Sequence, residues 1–403
     1  MTLKTSALKG FASILLLLCQ FAFSNGVEVK CLTNGTEICE VHEPINGNDE
    51  SLTVVTTPEQ DQSTIVELHL SKLSEVIPSV LFQRFPDIKF ASFKPDVKTI
   101  SQIDFRDAKN LFYLKLDGNH LKVVPKEVFA SATKLHTVDL SSNAITDVED
   151  YAFSRATDLN CVMLSKNNLT IIRNYTFAGA PKLTRIELEE NQIAVVEEGA
   201  FDIPSLEILF FESNRMKQLP DNIFRNAPNL GITYFGTNGM TEIGQAFYNL
   251  KSLRSVGFRH SQLKDVDLYA FVKSNPNLEN IYLEESGFQF PNIPRKGEDF
   301  KNKLRTLLLT NNSISNTNVL EHLEVFKNLE YLDIAYNNII QIDGIETIKQ
   351  KFPKFVHLLY PGNPLKCSWV ESTQFDRNLW FVPVYHEFNT TGYEQVDGIY
   401  CKK

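Results

Sequence analysis

The chain lacks the spacings on which the common catalytic and metal centres are built. It has no GxSxG, HExxH, GxxxxGKS or CxxC run, and its 8 histidines are scattered at no spacing suited to a metal. No enzyme activity, cofactor or metal is therefore expected. Basic charge is also in deficit. With 40 Lys and Arg against 49 Asp and Glu, the formal net charge is −9, and no basic run offsets it, which argues against nucleic acid as a partner. Beyond the first 24 residues there is no stretch of 18 consecutive apolar side chains, and the sequence ends on the polar Tyr400-Cys401-Lys402-Lys403. Neither a membrane span nor a lipid anchor is expected. Cysteine is scarce, with 6 in 403 residues.

Residues 1–24 carry Lys4 and Lys9, then an apolar run from Phe11 to Phe23 and a small-residue site at Ala22-Phe23-Ser24, the pattern of a secretory signal peptide. Secretion and an extracellular location are the resulting expectations. Cys19 leaves with that segment. Cys31, Cys39, Cys161, Cys367 and Cys401 remain, an odd number for an oxidising compartment, so at least one thiol needs a separate account.

One pattern, LxxLxLxxNx(L/I), fills most of the remaining chain. Residues 111–145 contain it twice, and clear copies start at Leu111, Leu135, Leu159, Leu183, Leu206, Leu230, Leu253, Leu278, Leu304 and Leu329. Two degenerate copies begin near Ile65 and Ile88, and a terminal one near Phe355, giving about thirteen repeats 23 to 26 residues apart. The fourth and sixth positions alternate inward on a short strand, so successive strands stack in parallel over an apolar core. The ninth position holds asparagine at 119, 143, 167, 191, 214, 238, 312, 337 and 363, lapsing at Ser261 and Ser286. Its amide is suited to bond backbone groups of adjacent turns where the chain bends inward. A second rhythm places Phe129, Phe153, Phe177, Phe201, Phe224, Phe247 and Phe271 behind each strand, a stacked aromatic spine expected to stop after Phe271. There the repeats lengthen and the insertion Gln289 to Phe300 interrupts them, with a change of curvature or a protruding loop expected near Pro291 and Pro294.

These motifs resemble the leucine-rich repeat family. The resemblance implies an α/β repeat solenoid, a horseshoe with a concave parallel β-sheet and a disulfide cap at each end. On that plan residues 25–64 form the N-terminal cap with Cys31 paired to Cys39, and 65–364 form the repeat array. Residues 365–403 form the C-terminal cap, which opens on the Asn363-Pro364-Leu365-Lys366-Cys367 run and closes with Cys401. The cap departs from the fuller four-cysteine version, because only Cys367 and Cys401 are available.

Strand alternation puts the third, fifth and seventh positions of each repeat on the concave face. With neighbouring strands about 4.8 Å apart, Ile208, Phe210, Ile232 and Tyr234 are expected to meet in one apolar cluster bordered by Glu187, Glu189 and Glu212, with Tyr282 further along the fifth-position row. A charge-rimmed apolar patch of this kind suits a protein partner; the bland alternative is a patch covered by a loop or left unused. Cys161, at a third position, is expected to point out of the same face. Two readings stand for it: an intermolecular disulfide, hence a dimer, or a thiol sheltered by Met163. Glycosylation sequons at Asn34, Asn168, Asn174, Asn311 and Asn389 avoid the odd strand positions and would leave most of the inner sheet bare.

The signal peptide, 24-residue repeats and simple caps, without a coiled coil, resemble the insect leucine-rich immune proteins, in particular the mosquito coil-less branch. That resemblance implies an extracellular recognition or scaffold protein in innate immune defence, binding other proteins, complement-like factors among them. Two alternatives remain: a matrix, adhesion or guidance protein of the Slit, chaoptin or connectin type, and a soluble decoy similar to Toll ectodomains.

Overall fold

Repeats of this kind cannot bury their apolar strand face alone, so their structure is decided by stacking. The computed structural model describes residues 28–31, 38–41, 53–56, 67–70, 75–263, 266–292, 300–373, 391–396 and 398–403. They fall into two compact units, residues 1–168 with 176–183 and residues 169–175 with 184–403. Each is a parallel-sheet solenoid.

In the first unit, strand Ile38–Val41 pairs in parallel with Glu67–Leu70. Next come Phe90–Phe93, Tyr113–Lys115, Thr137–Asp139 and Cys161–Met163, each hydrogen-bonded to the one before. Glu28–Cys31 pairs separately with Thr53–Thr56. The two degenerate repeats therefore carry strands where the pattern places them. The second unit runs Arg185–Glu187, Ile208–Phe210, Ile232–Tyr234, Ser255–Gly257, Asn280–Tyr282, Thr306–Leu308, Tyr331–Asp333 and His357–Leu359, again all parallel. With the five repeat strands of the first unit, these eight make the thirteen repeats read from the spacing.

The strands occupy the third to fifth positions of each repeat, and reach the sixth in the two degenerate ones. The fourth-position side chains, from Leu114 to Leu332, are fully buried, Thr233 among them. The ninth-position asparagines do what the pattern demands. Asn167 accepts the Ile145 N–H at 3.0 Å and donates Nδ2 to the carbonyls of Leu140 at 3.0 Å and Leu164 at 2.9 Å. Asn119 and Asn337 repeat the arrangement. Where the ladder lapses, Ser286 substitutes in part, its hydroxyl donating to the Leu283 carbonyl at 2.7 Å. The Ser261 hydroxyl is buried with no partner. A fully buried asparagine that the ninth-position pattern does not contain, Asn275, braces the same region from behind. It donates to the carbonyls of Phe247 and Phe271 and accepts the Leu250 N–H.

Phenylalanines stack behind the sheet, but over a longer range than the spacing suggested. In the first unit, rings from Phe82 through Phe105, Phe129 and Phe153 to Phe177 succeed one another at 5.3 to 6.1 Å. In the second, Phe201, Phe224 and Phe247 do the same at 5.9 and 5.8 Å. Phe271 is buried but meets Tyr248 edge-on at 5.5 Å. Past it, Phe326 lies against Phe300 at 6.3 Å, so aromatic packing does not end where the regular spacing does. The loop expected at Pro294 lies outside the described residues.

One regularity has no counterpart in the sequence pattern. The eighth position, just before the ladder asparagine, is left-handed in every clear repeat. Ser142, Lys166, Glu190, Ser213, Thr237, His260, Glu285, Asn311 and Tyr336 have φ between 51° and 59°, and Gly118 and Gly362 have 67° and 77°. Ordinary L-residues are strained there, and the asparagine bonds next to most of them hold them in it. Beside Ser261 and Ser286 backbone bonds remain, the His260 N–H donating to the Glu284 carbonyl at 3.0 Å and the Glu285 N–H to the Thr310 carbonyl at 2.9 Å. Among the described residues no helix is long and apolar enough to cross a membrane.

Candidate functional site

On the open face of the second unit, register decides which side chains meet. Ile208 pairs with Ile232 and Phe210 with Tyr234, as the repeat spacing predicts; Tyr234 in turn pairs with Gly257, and Gly257 with Tyr282. The Phe210 and Tyr234 rings are stacked, 5.5 Å between centroids and 2° from parallel. Such pairs are worth about 0.5–1.5 kcal/mol beyond their area. Tyr234 then meets Tyr282 edge-to-face at 5.7 Å, although a whole strand lies between them. Gly257 makes this possible. A Cβ there would sit 3.0 Å from Tyr234 Cδ1 and 3.3 Å from Tyr282 Cβ, so the bare backbone is the floor on which the two rings approach. Below them the Tyr234 hydroxyl and the buried Ser255 hydroxyl are hydrogen-bonded at 3.0 Å, and the Tyr282 hydroxyl joins the same pair. Ile208, Phe210, Ile232, Tyr234 and Tyr282 all remain partly exposed.

Charge surrounds this aromatic row unevenly. Arg185 lies over the Phe210 ring at 4.8 Å and is clamped by the buried Glu187, with Nε and Nη2 2.7 and 2.5 Å from Oε1. Glu189 and Glu212 occupy the neighbouring seventh positions. Gly236, next in that row, leaves room for Glu212, whose Oε1 would be 3.0 Å from a Cβ built there. Arg259 comes next, 3.5 Å from Glu284 through Nε. Glu284 keeps its other oxygen, Oε2, buried without a hydrogen-bond partner. Two strands on, Asp333 accepts the Ala335 N–H at 2.9 Å. Over the third, fifth and seventh positions of this unit, Glu187, Glu189, Glu212, Glu284 and Asp333 thus face only Arg185 and Arg259.

Burial acts on these carboxyls more than the guanidinium groups do. It raises Glu212 above its ordinary value, opposed by Arg259 and reinforced by Glu189. It raises Glu284 likewise, with Arg259 opposing and Asp333 reinforcing. Asp333 is raised by burial against its backbone hydrogen bond. Burial also lifts the Tyr282 phenol.

Every residue the sequence placed in the patch is on this face, and Phe210, Tyr234 and Tyr282 are in direct contact. The sequence reading missed Arg185 on Phe210, the Ser255 hydroxyl, and Arg259, Glu284 and Asp333 at the far rim. The seventh-position row would have found Arg259 and Glu284, and the glycine between two fifth-position tyrosines marked their approach.

A family model of the BspA-type leucine-rich repeat region matches residues 60–180, 147–279 and 217–296, which together span more than half of the chain. The chain belongs to the leucine-rich repeat family. Among curated relatives, the serine/threonine-protein kinase 11-interacting protein of Gallus gallus is 31% identical over 135 residues, 32% of this chain but only 12% of that protein. Fibromodulin of Sus scrofa is 29% identical over 140 residues, 34% of this chain and 90% of the relative. Among solved structures, a chain of the LRIM1/APL1C complex superposes with a TM-score of 0.60 at 18% identity, covering 90% of this chain and 69% of the other. At that identity the likeness is one of fold.

In this leucine-rich repeat chain Cys367 and Cys401 form the expected disulfide, with S–S at 2.08 Å across 34 residues. It ties helix Cys367–Ser372 to the hairpin of Glu394–Val396 and Ile399–Cys401. The side chains of Cys31 and Cys39 lie outside the described residues. Of the two readings of Cys161, the structure departs from the projecting one. It sits at the third position of its strand but is only 9% exposed, so the side chain read as projecting from the face is sheltered in the sheet. Its shortness accounts for this, since one carbon and one sulfur do not reach past the longer residues around them. Asn168, Asn174 and Asn311 are exposed, while Asn34 and Asn389 lie outside the described residues.

Proposed function

We propose that this protein is a secreted recognition protein that binds partner proteins through the open sheet face of its second unit, around Phe210, Tyr234 and Tyr282. The observation that carries the reading is the partly exposed aromatic row. Three rings in successive contact across four strands, rimmed by carboxylates, make a preorganised surface of the type that anchors protein interfaces. Rings held by stacking and by the Ser255 hydroxyl lose little freedom when a partner lands on them. The 1–24 segment supplies the route out of the cell.

Within that reading the setting is innate immune defence, with complement-like factors among the partners. It rests on the resemblance of the repeats and caps to the insect leucine-rich immune proteins, and is supported by a fold shared with a chain that occurs in a complex, LRIM1/APL1C. The protein acts by binding and not by catalysis. Phe210→Asp and Tyr234→Asp are expected to abolish capture of partners from body fluid while secretion and melting temperature stay as in the parent. Secretion lost together with binding would mark these side chains as structural and sink the reading. Induction of the transcript after infection separates the immune setting from an adhesion or guidance role, for which expression confined to developing tissue is expected.

A further inference from the structure

The charge on the proposed binding face is out of balance with its own residues. Five carboxylates share two guanidinium groups there, and the buried Oε2 of Glu284 has no donor. An uncompensated carboxylate oxygen out of water is costly unless something brings it a hydrogen bond. The face also shows, within itself, how it holds a cation. Arg185 lies flat over Phe210 with its nitrogens on Glu187, a ring face and a carboxylate acting together on one guanidinium. The same pair of elements recurs two strands away. The Tyr234 and Tyr282 rings occupy fifth positions; Glu284 occupies the seventh position of Tyr282's own repeat, about 6.6 Å further along the strand direction, and Glu212 that of the repeat before Tyr234. That distance matches the reach of an extended arginine or lysine side chain lying on the rings. Here, among the described residues, the chain's own guanidinium is Arg259, shared between the two carboxylates and more than half exposed.

Resting on the function proposed above, we infer that the partner element docking on this face is a basic segment, whose arginine or lysine lies across Tyr234 and Tyr282 and donates to Glu284 and Glu212. The stem packs on the rings, where a cation over an aromatic face is favoured. The head donates in a charge-assisted hydrogen bond to the part of each carboxylate that stays accessible, and its positive charge offsets the buried, unpartnered Oε2 of Glu284 beneath it. Arg259 stays at the edge, aligning the two carboxylates without filling the space above the rings. An acidic partner meets the same carboxylates as repulsion, so the arrangement selects by sign as well as by shape.

The test is selection of a random twelve-residue peptide library, displayed on phage, against the full chain. Enriched peptides are expected to carry arginine or lysine next to an apolar residue. As synthetic peptides they should lose about tenfold or more in affinity against the Glu212→Gln/Glu284→Gln variant and against Tyr234→Ala, and nothing against Glu346→Gln, an exposed carboxylate elsewhere. Their affinity for the parent should also fall by about tenfold between roughly 0.05 and 0.5 M salt, a readout that needs no variant to fold. Neutral or acidic peptides that depend on Tyr234 but ignore both the Glu→Gln change and salt overturn the basic-partner inference and leave the face as the binding site. Peptides indifferent to Tyr234 as well overturn both, and so does a library from which nothing is enriched.

Discussion

At the scale of single residues, two adjacent repeat positions show why some of this fold could be read and some could not. The ninth position is legible because its task is specific to one side chain. Only an amide can accept one backbone N–H and donate to two carbonyls at once, as Asn167 does. The eighth position has an equally fixed backbone but no residue preference, since its left-handed turn is imposed by its flanks. Serine, lysine, glutamate, threonine, histidine, asparagine and tyrosine all occupy it. Thr237 is the most strained of these, a β-branched and exposed residue at φ 53°. Relief of about 1–2 kcal/mol of left-handed strain exceeds the roughly 0.4–1 kcal/mol that a glycine costs through the unfolded chain. Thr237→Gly should therefore stabilise by about 0.5–1 kcal/mol, seen as a higher urea midpoint. Gly362, in the same position, should respond in the opposite sense. Its φ is 77° and a Cβ would fall 2.5 Å from the Tyr336 ring, so Gly362→Ala lowers the midpoint. Two changes of equal sign would show that the turn is not under strain.

Among elements, strands were legible and contacts across them only in part. The period fixed the thirteen repeat strands and the Phe210–Tyr234 register, because a one-residue slip would turn the buried fourth position outward. It could not fix the approach of Tyr282, which depends on the absence of a side chain on the strand between. Glycine at a strand position reads from sequence as a weakness, whereas Gly257 is the reason three strands present one aromatic surface. The aromatic spine illustrates the converse: Phe82 and Phe105 belong to it, each 17 residues after the degenerate starts at Ile65 and Ile88, so the spacing carried them although the reading began at Phe129. Gly257→Ala separates the two roles of its strand. The added methyl displaces the Tyr234 ring from 3.0 Å contact while the parallel ladder and the buried Val256 stay in place. Binding of enriched peptides should weaken about tenfold or more, with the melting temperature moved by no more than a few degrees. A parent-like affinity would mean that the Tyr234–Tyr282 contact does not matter for docking.

For the molecule as a whole, the raised carboxyls tie both stability and binding to pH, with opposite signs. A carboxyl whose folded value lies above its unfolded one favours the folded state when protonated. That contribution is fully present below the ordinary glutamate value of 4.5 and is lost as pH rises through the folded value. Glu212 and Glu284 therefore resist acid unfolding, where most carboxylates promote it. His322 runs the other way. Burial beside Phe290 lowers its value below 6.5, so its contribution is present above 6.5 and is lost as pH falls through the folded value. Binding of a basic segment needs Glu212 and Glu284 charged. Arg259 and His260 face both carboxylates, Glu189 faces the first and Asp333 the second. The balance of burial and like charge over Arg259 keeps both values raised. Affinity should thus begin to fall on acidification above 4.5, before ordinary surface carboxylates are protonated. Titration calorimetry with one enriched basic peptide, from about pH 7.5 down to about pH 4.5, reads this directly. The Glu212→Gln/Glu284→Gln variant should show weaker binding with a flatter profile. If the variant kept the full pH dependence, the titrating groups would lie elsewhere and the face would owe its selectivity to shape alone.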